Sequence, residues 1–100
     1  MNRSAHADDP PPGTRFRVPS RVHARRFDDE VVVLDLGAGE YYSLDAVGSA
    51  IWEQLQRGRT ADEIVGFLLG AYELDELTAR TDVARIIQEL LAAGLVERQT

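Results

Sequence analysis

The segment VVVLDLGAGEYYSLDAVGSAIWEQL, residues 31–55, constrains the fold of this chain more than any other stretch. Gly37 and Gly39 surround a single Ala and predict a tight turn, so two antiparallel strands are expected at 31–36 and 40–44. Asp45 then predicts the N-cap of a helix. The second strand, EYYSL, has no evident pairing partner in the sequence that follows it. Its free edge therefore raises the first question about function.

The flanking segments complete an α+β domain. VHARRF at 22–27 predicts a further strand, joined to 31–36 by the acidic turn 28–30, so the sheet is expected to be a three-stranded antiparallel meander. Three helices are predicted, at 46 to about 57 ended by Gly58, at 60 to about 72 opened by the capping box Thr60 to Glu63, and at about 76 to 93 ended by Gly94. This order predicts a small sheet that packs on three helices.

The turns also predict which strand residues face the core. A three-residue loop at 37–39 places Leu34 opposite Tyr42 and Val32 opposite Leu44. With a similar loop at 28–30, the expected core face consists of Val22, Ala24, Val32, Leu34, Leu36, Tyr42 and Leu44. The expected outer face consists of His23, Arg25, Phe27, Val31, Val33, Asp35, Tyr41 and Ser43. Half of that outer face is apolar, which is unusual for a surface that meets only water.

The chain is long enough for one small domain. Residues 1–16 include the run Pro10-Pro11-Pro12-Gly13 and have little apolar area, so we predict a flexible N-terminal tail at 1–16 and a folded domain at 17–100. The chain has no Cys and no apolar run long enough for a membrane span or a signal peptide. We expect a cytoplasmic protein that binds no membrane.

Charge is unevenly distributed along the chain, whose net charge is −6. Residues 1–27 hold six Arg and two Asp, whereas residues 28–100 hold five Arg against fifteen Asp and Glu. The folded part is therefore acidic. A nucleic-acid binder needs a basic face that displaces counterions from phosphates, so we expect no nucleic-acid partner.

Groups that could carry catalysis are scarce. His6 and His23 are the two imidazoles, and the chain has no thiol. The acidic run 28–30 is interpreted as a solvated turn rather than as paired catalytic carboxylates. We therefore predict no enzymatic activity, no cofactor and no metal site.

Gly66 and Gly70 form a small-xxx-small pattern within the second predicted helix. The apolar run around them is too short to cross a bilayer. We interpret the two glycines as a place where helices pack closely.

A family resemblance rests on VVVLDLGAGEYYSLDAVGSAIWEQLQRGRTADEIVGFL together with TDVARIIQELLAAGLV. These residues resemble the PqqD-like family, the leader-peptide recognition elements of pathways that make and modify ribosomal peptides. The resemblance covers about residues 20–97. Its matching features are the hairpin 34–44, Gly48, Ile51-Trp52, Thr60 with Glu63-Ile64, Asp82-Val83, Leu90 and Gly94-Leu95-Val96.

The resemblance implies a winged helix-turn-helix-like fold that binds peptides. In that family a precursor's leader adds as an antiparallel strand to the third β-strand and lies in a groove beside the third helix. The implied contacts on the strand are Glu40, Tyr41, Tyr42, Ser43 and Leu44. On the helix, residues at i, i+3, i+4 and i+7 and one neighbour are expected to line the groove, namely Asp82, Arg85, Ile86 and Glu89 with Val83.

Family members also hand the bound precursor to an enzyme. The resemblance implies a radical-SAM protein, as in pyrroloquinoline quinone biosynthesis, or a leader peptidase, as in lasso-peptide pathways, where the recognition element is often a free-standing small protein. Phe27, Val31 and Val33 on the predicted outer face, with Tyr41 beside them, are our candidate docking residues for that enzyme.

Two alternatives stay open on the sequence alone. A winged-helix fold is common among DNA-binding transcription regulators, although the acidic body opposes that function. The second alternative is a structural subunit or chaperone with no peptide ligand. In that case the edge of EYYSL pairs with no other chain, because it is short or covered.

Overall fold

The computed structural model describes residues 13–99, which form an α+β fold. Its elements in chain order are β1 Phe16–Arg17, β2 Val22–Phe27, β3 Glu30–Asp35, β4 Glu40–Leu44, α1 Ala46–Gln56, α2 Ala61–Ala71, α3 Glu76–Ala92 and β5 Glu97–Arg98. β2, β3 and β4 form a three-stranded antiparallel sheet with β3 in the middle. The predicted meander followed by three helices is confirmed.

A second, two-stranded sheet joins the two ends of the domain. In it, β1 pairs antiparallel with β5, so that Phe16 lies opposite Arg98. The Phe16 side chain is 2% exposed and belongs to the core. The predicted domain start at residue 17 therefore falls inside β1, and Phe16 belongs to the fold rather than to a tail. Residues 1–12 of the predicted tail lie outside the described residues.

The helix boundaries follow from the capping residues that the sequence predicts. The Asp45 side chain accepts a hydrogen bond at the start of α1, and Thr60 and Glu63 form a reciprocal capping box at the start of α2. After α3, Gly94 takes a left-handed φ of 74° and the Leu95 amide donates back to the carbonyl of the last helical turn at 2.9 Å. This arrangement is a Schellman motif, which buries Leu95 and ends the helix.

The predicted core face of the central strand is wrong, because β3 is turned over relative to the prediction. Val33, rather than Leu34, lies opposite Tyr42, and Val31, rather than Val32, lies opposite Leu44. Val31 and Val33 are 3% and 0% exposed. Predicted core residue Leu36 is 65% exposed.

Both turns differ in length from the prediction by one residue, which explains why only the middle strand is reversed. The β2–β3 turn has two residues, with Asp28 at a φ of 58°, and the β3–β4 turn has four, from Leu36 to Gly39. A shift of one residue moves every side chain of a strand to the opposite face. The outer strands keep their predicted faces, since Val22 and Leu44 are buried.

One hydrophobic core joins the sheet to the helices. α1 packs against β3 and β4, while α3 packs against α2 and α1. The largest fully buried apolar side chains are Trp52, Ile51, Leu55, Ile64, Leu68, Leu90, Val33, Val83 and Val96. Within residues 13–99, no helix combines the length and the apolar content that crossing a membrane requires.

Gly66 and Gly70 do not serve the internal helix packing that their spacing predicts. A Cβ placed on either glycine would meet no atom within 4 Å, since both lie on the exposed side of α2. Each exposed helical glycine destabilises a fold by roughly 0.5–1 kcal/mol relative to alanine. The described part of the chain therefore contains no packing reason for them.

Candidate functional site

β4 is an outermost strand of the three-stranded sheet, and within residues 13–99 it pairs only with β3. Four of its five residues are exposed, and Leu44 alone is buried. Exposed edges are commonly blocked by Lys, Pro or a bulge. β4 contains none of these and carries one charged residue, Glu40.

The Ser49 hydroxyl shows which backbone groups of β4 face the free edge. Ser49 Oγ accepts from the Val31 amide at 2.8 Å and donates to the Leu44 carbonyl at 3.1 Å, so these two backbone groups face each other across the hydroxyl. Backbone direction alternates along an antiparallel strand. The amide and carbonyl of Tyr42 therefore point toward β3, as those of Leu44 do. The amides and carbonyls of Tyr41 and Ser43 point away from β3, toward the free edge.

A shallow depression lies beside the first half of β4. Its volume is about 520 Å³, and Gly39, Glu40, Tyr41 and Tyr42 line it. The Tyr41 side chain is 69% exposed, and Tyr42 is 36% exposed. Among the described residues, no side-chain hydrogen bond ends on the backbone of Tyr41 or Ser43. An extended peptide has access to both hydrogen-bonding groups and aromatic surface here.

The buried carboxylate of Asp35 holds the hairpin that begins β4. Its Oδ1 accepts from the amides of Gly37 and Ala38 at 3.0 and 3.1 Å and lies 3.5 Å from Arg21 Nε. Arg21 also donates to the Gly94 carbonyl at 2.9 Å, which ties the hairpin to the end of α3. The prediction that Asp35 lies on the outer face of the sheet is wrong, because its side chain is 6% exposed and its carboxylate is satisfied within the turn. Asp two residues before Gly is a recognisable turn signal.

Gly48 allows α1 to approach the other end of β4. A Cβ on Gly48 would lie 3.2 Å from Asp45 Oδ1 and 3.4 Å from two atoms of the Leu44 side chain. The Gly48 amide donates to Asp45 Oδ1 at 2.8 Å, which fixes the first turn of the helix. The strand is thus anchored at both ends while its middle stays open.

The charged residues predicted on α3 form a local ion-pair group. Arg85 lies between Asp82 and Glu89, with N–O distances of 3.8 and 3.5 Å. All three side chains are at least partly exposed. This part of α3 carries one basic and two acidic side chains and therefore has a net negative charge.

The apolar residues predicted on α3 lie in the core instead. Val83 is 1% exposed and Ile86 is 6% exposed. Both belong to the stripe of α3 that packs within the domain. Their burial leaves little side-chain surface for a ligand, and a charge at Ile86 would be buried at a high cost in stability.

Two of the docking residues predicted on the outer face of the sheet, Val31 and Val33, lie on its other face. Val31 and Val33 are buried and cannot contribute to a surface. Their places on the outer face are taken by Val32 and Leu34, which are partly buried, while Phe27 is 61% exposed as predicted. The face remains half apolar with this exchange.

The titratable side chains of the described residues form no candidate metal centre. Residues 13–99 contain no group of three His, Asp or Glu side chains that could hold a metal ion. His23 is exposed on β2, and His6 lies outside the described residues. Backbone hydrogen bonding lowers the pKa of Glu63 and of Asp75, and both carboxylates cap helices, through the amides of Thr60 and Thr78 respectively. Both lowered pKa values are thus explained by helix capping.

Solved structures and a family model are similar to this chain. One similar solved structure is described as TbiB1 in complex with the TbiA(beta) leader peptide. Its sequence is 36% identical to this chain, the match covers 84% of this chain and 98% of that one, and the TM-score is 0.77. A second, described as lasso peptide synthetase B1 complexed with the leader peptide, is 26% identical, covers 83% and 98%, and has a TM-score of 0.76. No protein of curated function matches the chain. The model of the family described as coenzyme PQQ synthesis protein D matches residues 30–96, and the chain therefore belongs to the PqqD family.

Proposed function

We propose that this protein binds the leader of a ribosomally made precursor peptide by adding it as a strand to β4. The protein then presents the precursor to a modifying enzyme or to a leader peptidase, and it has no catalytic role of its own. The outward backbone groups of Tyr41 and Ser43 are the single observation that carries this proposal. They offer an incoming strand main-chain hydrogen bonds, and neighbouring side chains supply selectivity.

The two similar structures support the proposal, because each is described as a complex with a leader peptide. The β3–β4 hairpin is also held in place before a peptide binds. Asp35 and Ser49 fix the two ends of the hairpin, so that little ordering remains to be done when a peptide arrives. Glu40, Tyr41 and Tyr42 then border the peptide, while Leu44 supports the strand from the core.

The contribution of α3 is narrower than the resemblance implies. Asp82, Arg85 and Glu89 are accessible and are our candidates for charge-dependent selection of the leader. Val83 and Ile86 act through packing, because they are buried. Within the proposed function, α3 therefore selects by charge and β4 binds by backbone hydrogen bonds.

A proline substitution tests strand addition directly. Ser43→Pro removes an outward amide but no hydrogen bond between β3 and β4, since proline is tolerated on the free side of an edge strand. We expect leader affinity to fall about 10-fold or more, which corresponds to the loss of one or two hydrogen bonds. Fluorescence anisotropy with labelled TbiA(beta) leader, and with peptides from short reading frames beside the gene, measures the change.

The matched control is Ala24→Pro on the opposite edge of the sheet. The Leu36 amide donates to the Arg21 carbonyl, so the backbone groups of Leu36, Leu34 and Val32 point toward β2. Their partners are Arg21, just before β2, and His23 and Arg25 within it. The amide of Ala24, which lies between two of these partners, therefore points outward from the sheet. Ala24→Pro makes the same chemical change on an edge that the proposal leaves empty. Equal losses of affinity in the two variants, or no loss in a folded Ser43→Pro variant, would contradict binding at β4.

The rival DNA-binding function receives no support from α3. Its two arginines are both engaged, Arg80 with Glu76 and Asp62 and Arg85 with Asp82 and Glu89. A recognition helix needs unpaired basic side chains that reach phosphates. We expect no shift of random duplex DNA at low salt in an electrophoretic assay, and a clear shift would favour the DNA-binding function.

A further inference from the structure

The one charged residue of β4, Glu40, stands at the start of the open edge. Glu40 is exposed, and its side chain forms no ion pair or hydrogen bond within residues 13–99. It lies directly opposite Asp35, and two acids opposite each other on neighbouring strands disfavour the pairing of those strands. The stability of the hairpin therefore gives no reason for an acid at this position.

The cation held at this hairpin is already engaged. Arg21 Nε lies 3.5 Å from Asp35 Oδ1, and Arg21 Nη2 donates to the Gly94 carbonyl at 2.9 Å. Arg21 and Asp35 thus compensate each other. The negative charge of Glu40 is left without a partner in the described part of the chain.

The depression of about 520 Å³ beside β4 combines this carboxylate with aromatic rings. Its lining residues are Gly39, Glu40, Tyr41 and Tyr42, none of which is basic. Side chains alternate along a strand, so Glu40 and Tyr42 share one side of β4 and Tyr41 lies on the other. A carboxylate attracts a cation, and the face of an aromatic ring does so as well. The lining therefore fits a cationic group on an aliphatic stem, as Lys and Arg side chains provide.

We infer that this depression receives a Lys or Arg side chain of the leader, so that Glu40 selects leaders with a basic residue at one position of the bound segment. The inference rests on the proposed function, in which the leader adds antiparallel to β4. The two strands then run in opposite directions, so the leader residue opposite Glu40 follows the one opposite Tyr42 by two positions. The basic residue is expected at the C-terminal end of the segment that pairs with β4.

The carboxylates of α3 are less suited to select this residue. Asp82 and Glu89 share Arg85, with N–O distances of 3.8 and 3.5 Å. A cation of the leader would have to compete with Arg85 for either of them. It meets no such competitor at Glu40 within residues 13–99. The strongest dependence of binding on a leader charge is therefore expected at Glu40.

The first test removes the charge of Glu40 and keeps its size. Anisotropy of the labelled TbiA(beta) leader, and of leaders from short reading frames beside the gene, should give a dissociation constant about 3-fold to 5-fold higher for Glu40→Gln at low salt. The difference should shrink at roughly 0.5 M salt, because ions screen exposed charges. The melting temperature should stay unchanged or rise, since Glu40 lies opposite another acid. Weaker binding without loss of stability separates selection from folding.

Glu30→Gln is the matched control. Glu30 begins β3 as Glu40 begins β4, and both residues are exposed. It lies next to the β2–β3 turn, at the end of the sheet opposite to the depression. The control makes the same change in net charge, so it reports any general effect of charge on binding. We expect its dissociation constant to stay within about 1.5-fold of the wild-type value.

The second test finds the partner of Glu40 on the leader. Each Lys of the leader is replaced in turn by norleucine and each Arg by citrulline, which removes the charge and keeps the stem. One replacement should weaken binding to the wild type about 3-fold to 5-fold and leave binding to Glu40→Gln unchanged. Such a double-mutant cycle isolates the coupling between two groups. The coupled residue is expected at the C-terminal end of the bound segment.

Three outcomes overturn the inference and leave leader binding intact. They are a Glu40→Gln variant that binds as tightly as the wild type, equal losses in Glu40→Gln and Glu30→Gln, and a bound leader in which no basic residue couples to Glu40. In all three the wild type binds the leader and Ser43→Pro still weakens it, so strand addition stands. A wild-type chain that binds no leader overturns the proposed function and this inference with it.

Discussion

The two edges of the three-stranded sheet, β2 and β4, differ in how they present free backbone groups. On β2 the residues whose amides and carbonyls point away from β3 are Val22, Ala24 and Arg26; on β4 they are Tyr41 and Ser43. The Val22 amide already donates to the Pro19 carbonyl at 3.0 Å. β2 is therefore partly closed by its own chain, whereas the middle of β4 is open.

Charge increases this difference. Arg26 is on the helix-facing side of β2, where it pairs with Glu53 of α1 and donates to the Asp28 carbonyl at 3.0 Å. A charged residue that points inward on an edge strand is a known means of preventing strand addition. β4 carries Glu40 on that side next to its turn, followed on the same side by Tyr42 and the buried Leu44. β2 is thus partly closed near Val22, whereas the amides and carbonyls in the middle of β4 stay accessible.

The largest effect on this asymmetry is expected from Asp35→Ala. The substitution removes the acceptor of two turn amides and the partner of Arg21, at a position that is 6% exposed. We expect a loss of about 2–4 kcal/mol in the free energy of unfolding, because buried groups lose their partners. Leader affinity should fall as well, since the start of β4 is no longer fixed.

Asp29→Ala is the control for that substitution. Asp29 occupies the β2–β3 turn, where it is exposed and its side chain forms no hydrogen bond within residues 13–99. Urea titrations should give a change within about 0.5 kcal/mol for this variant. Equal destabilisation by the two variants would mean that the β4 hairpin is held no more firmly than the β2 hairpin.

Ser49→Ala should have the next largest effect. It leaves the Val31 amide and the Leu44 carbonyl buried without their shared partner, at an expected cost of about 1–3 kcal/mol. Amide hydrogen exchange of β4 should accelerate more than that of β2, because Ser49 connects β3 to β4 only. Ser43→Ala, which alters an exposed side chain of β4, serves as the control and should leave exchange unchanged.

The sequence predicts the elements well where local signals are strong. Capping residues and Gly94 locate the helices to within about one residue, and the glycine turn locates β4 as an edge strand. The strands β1 and β5 escape prediction, because they contain two residues each and pair across almost the full length of the domain. No periodic pattern exists over two residues.

The face of β3 could not be predicted from its composition. In VVVLDL both sets of alternating positions are largely apolar, so the choice depends on turn lengths. The decisive residue is Asp35, which the structure buries because turn amides and Arg21 satisfy its carboxylate. Turns of three residues at both ends turn the strand over, and Val31 and Val33 are then mistaken for surface residues.

The smallest effect on stability is expected from Arg26→Thr, which unblocks β2. The Arg26–Glu53 pair is about half exposed, so its loss should change the free energy of unfolding by less than about 1 kcal/mol. The consequence lies in binding instead, because β2 then lacks its inward charge and acquires a β-branched residue that favours strands. Isothermal titration should give one leader per wild-type chain and additional weak binding to the variant. Two equivalent leaders on the wild-type chain would contradict the difference between the edges, since β2 would then be as open as β4.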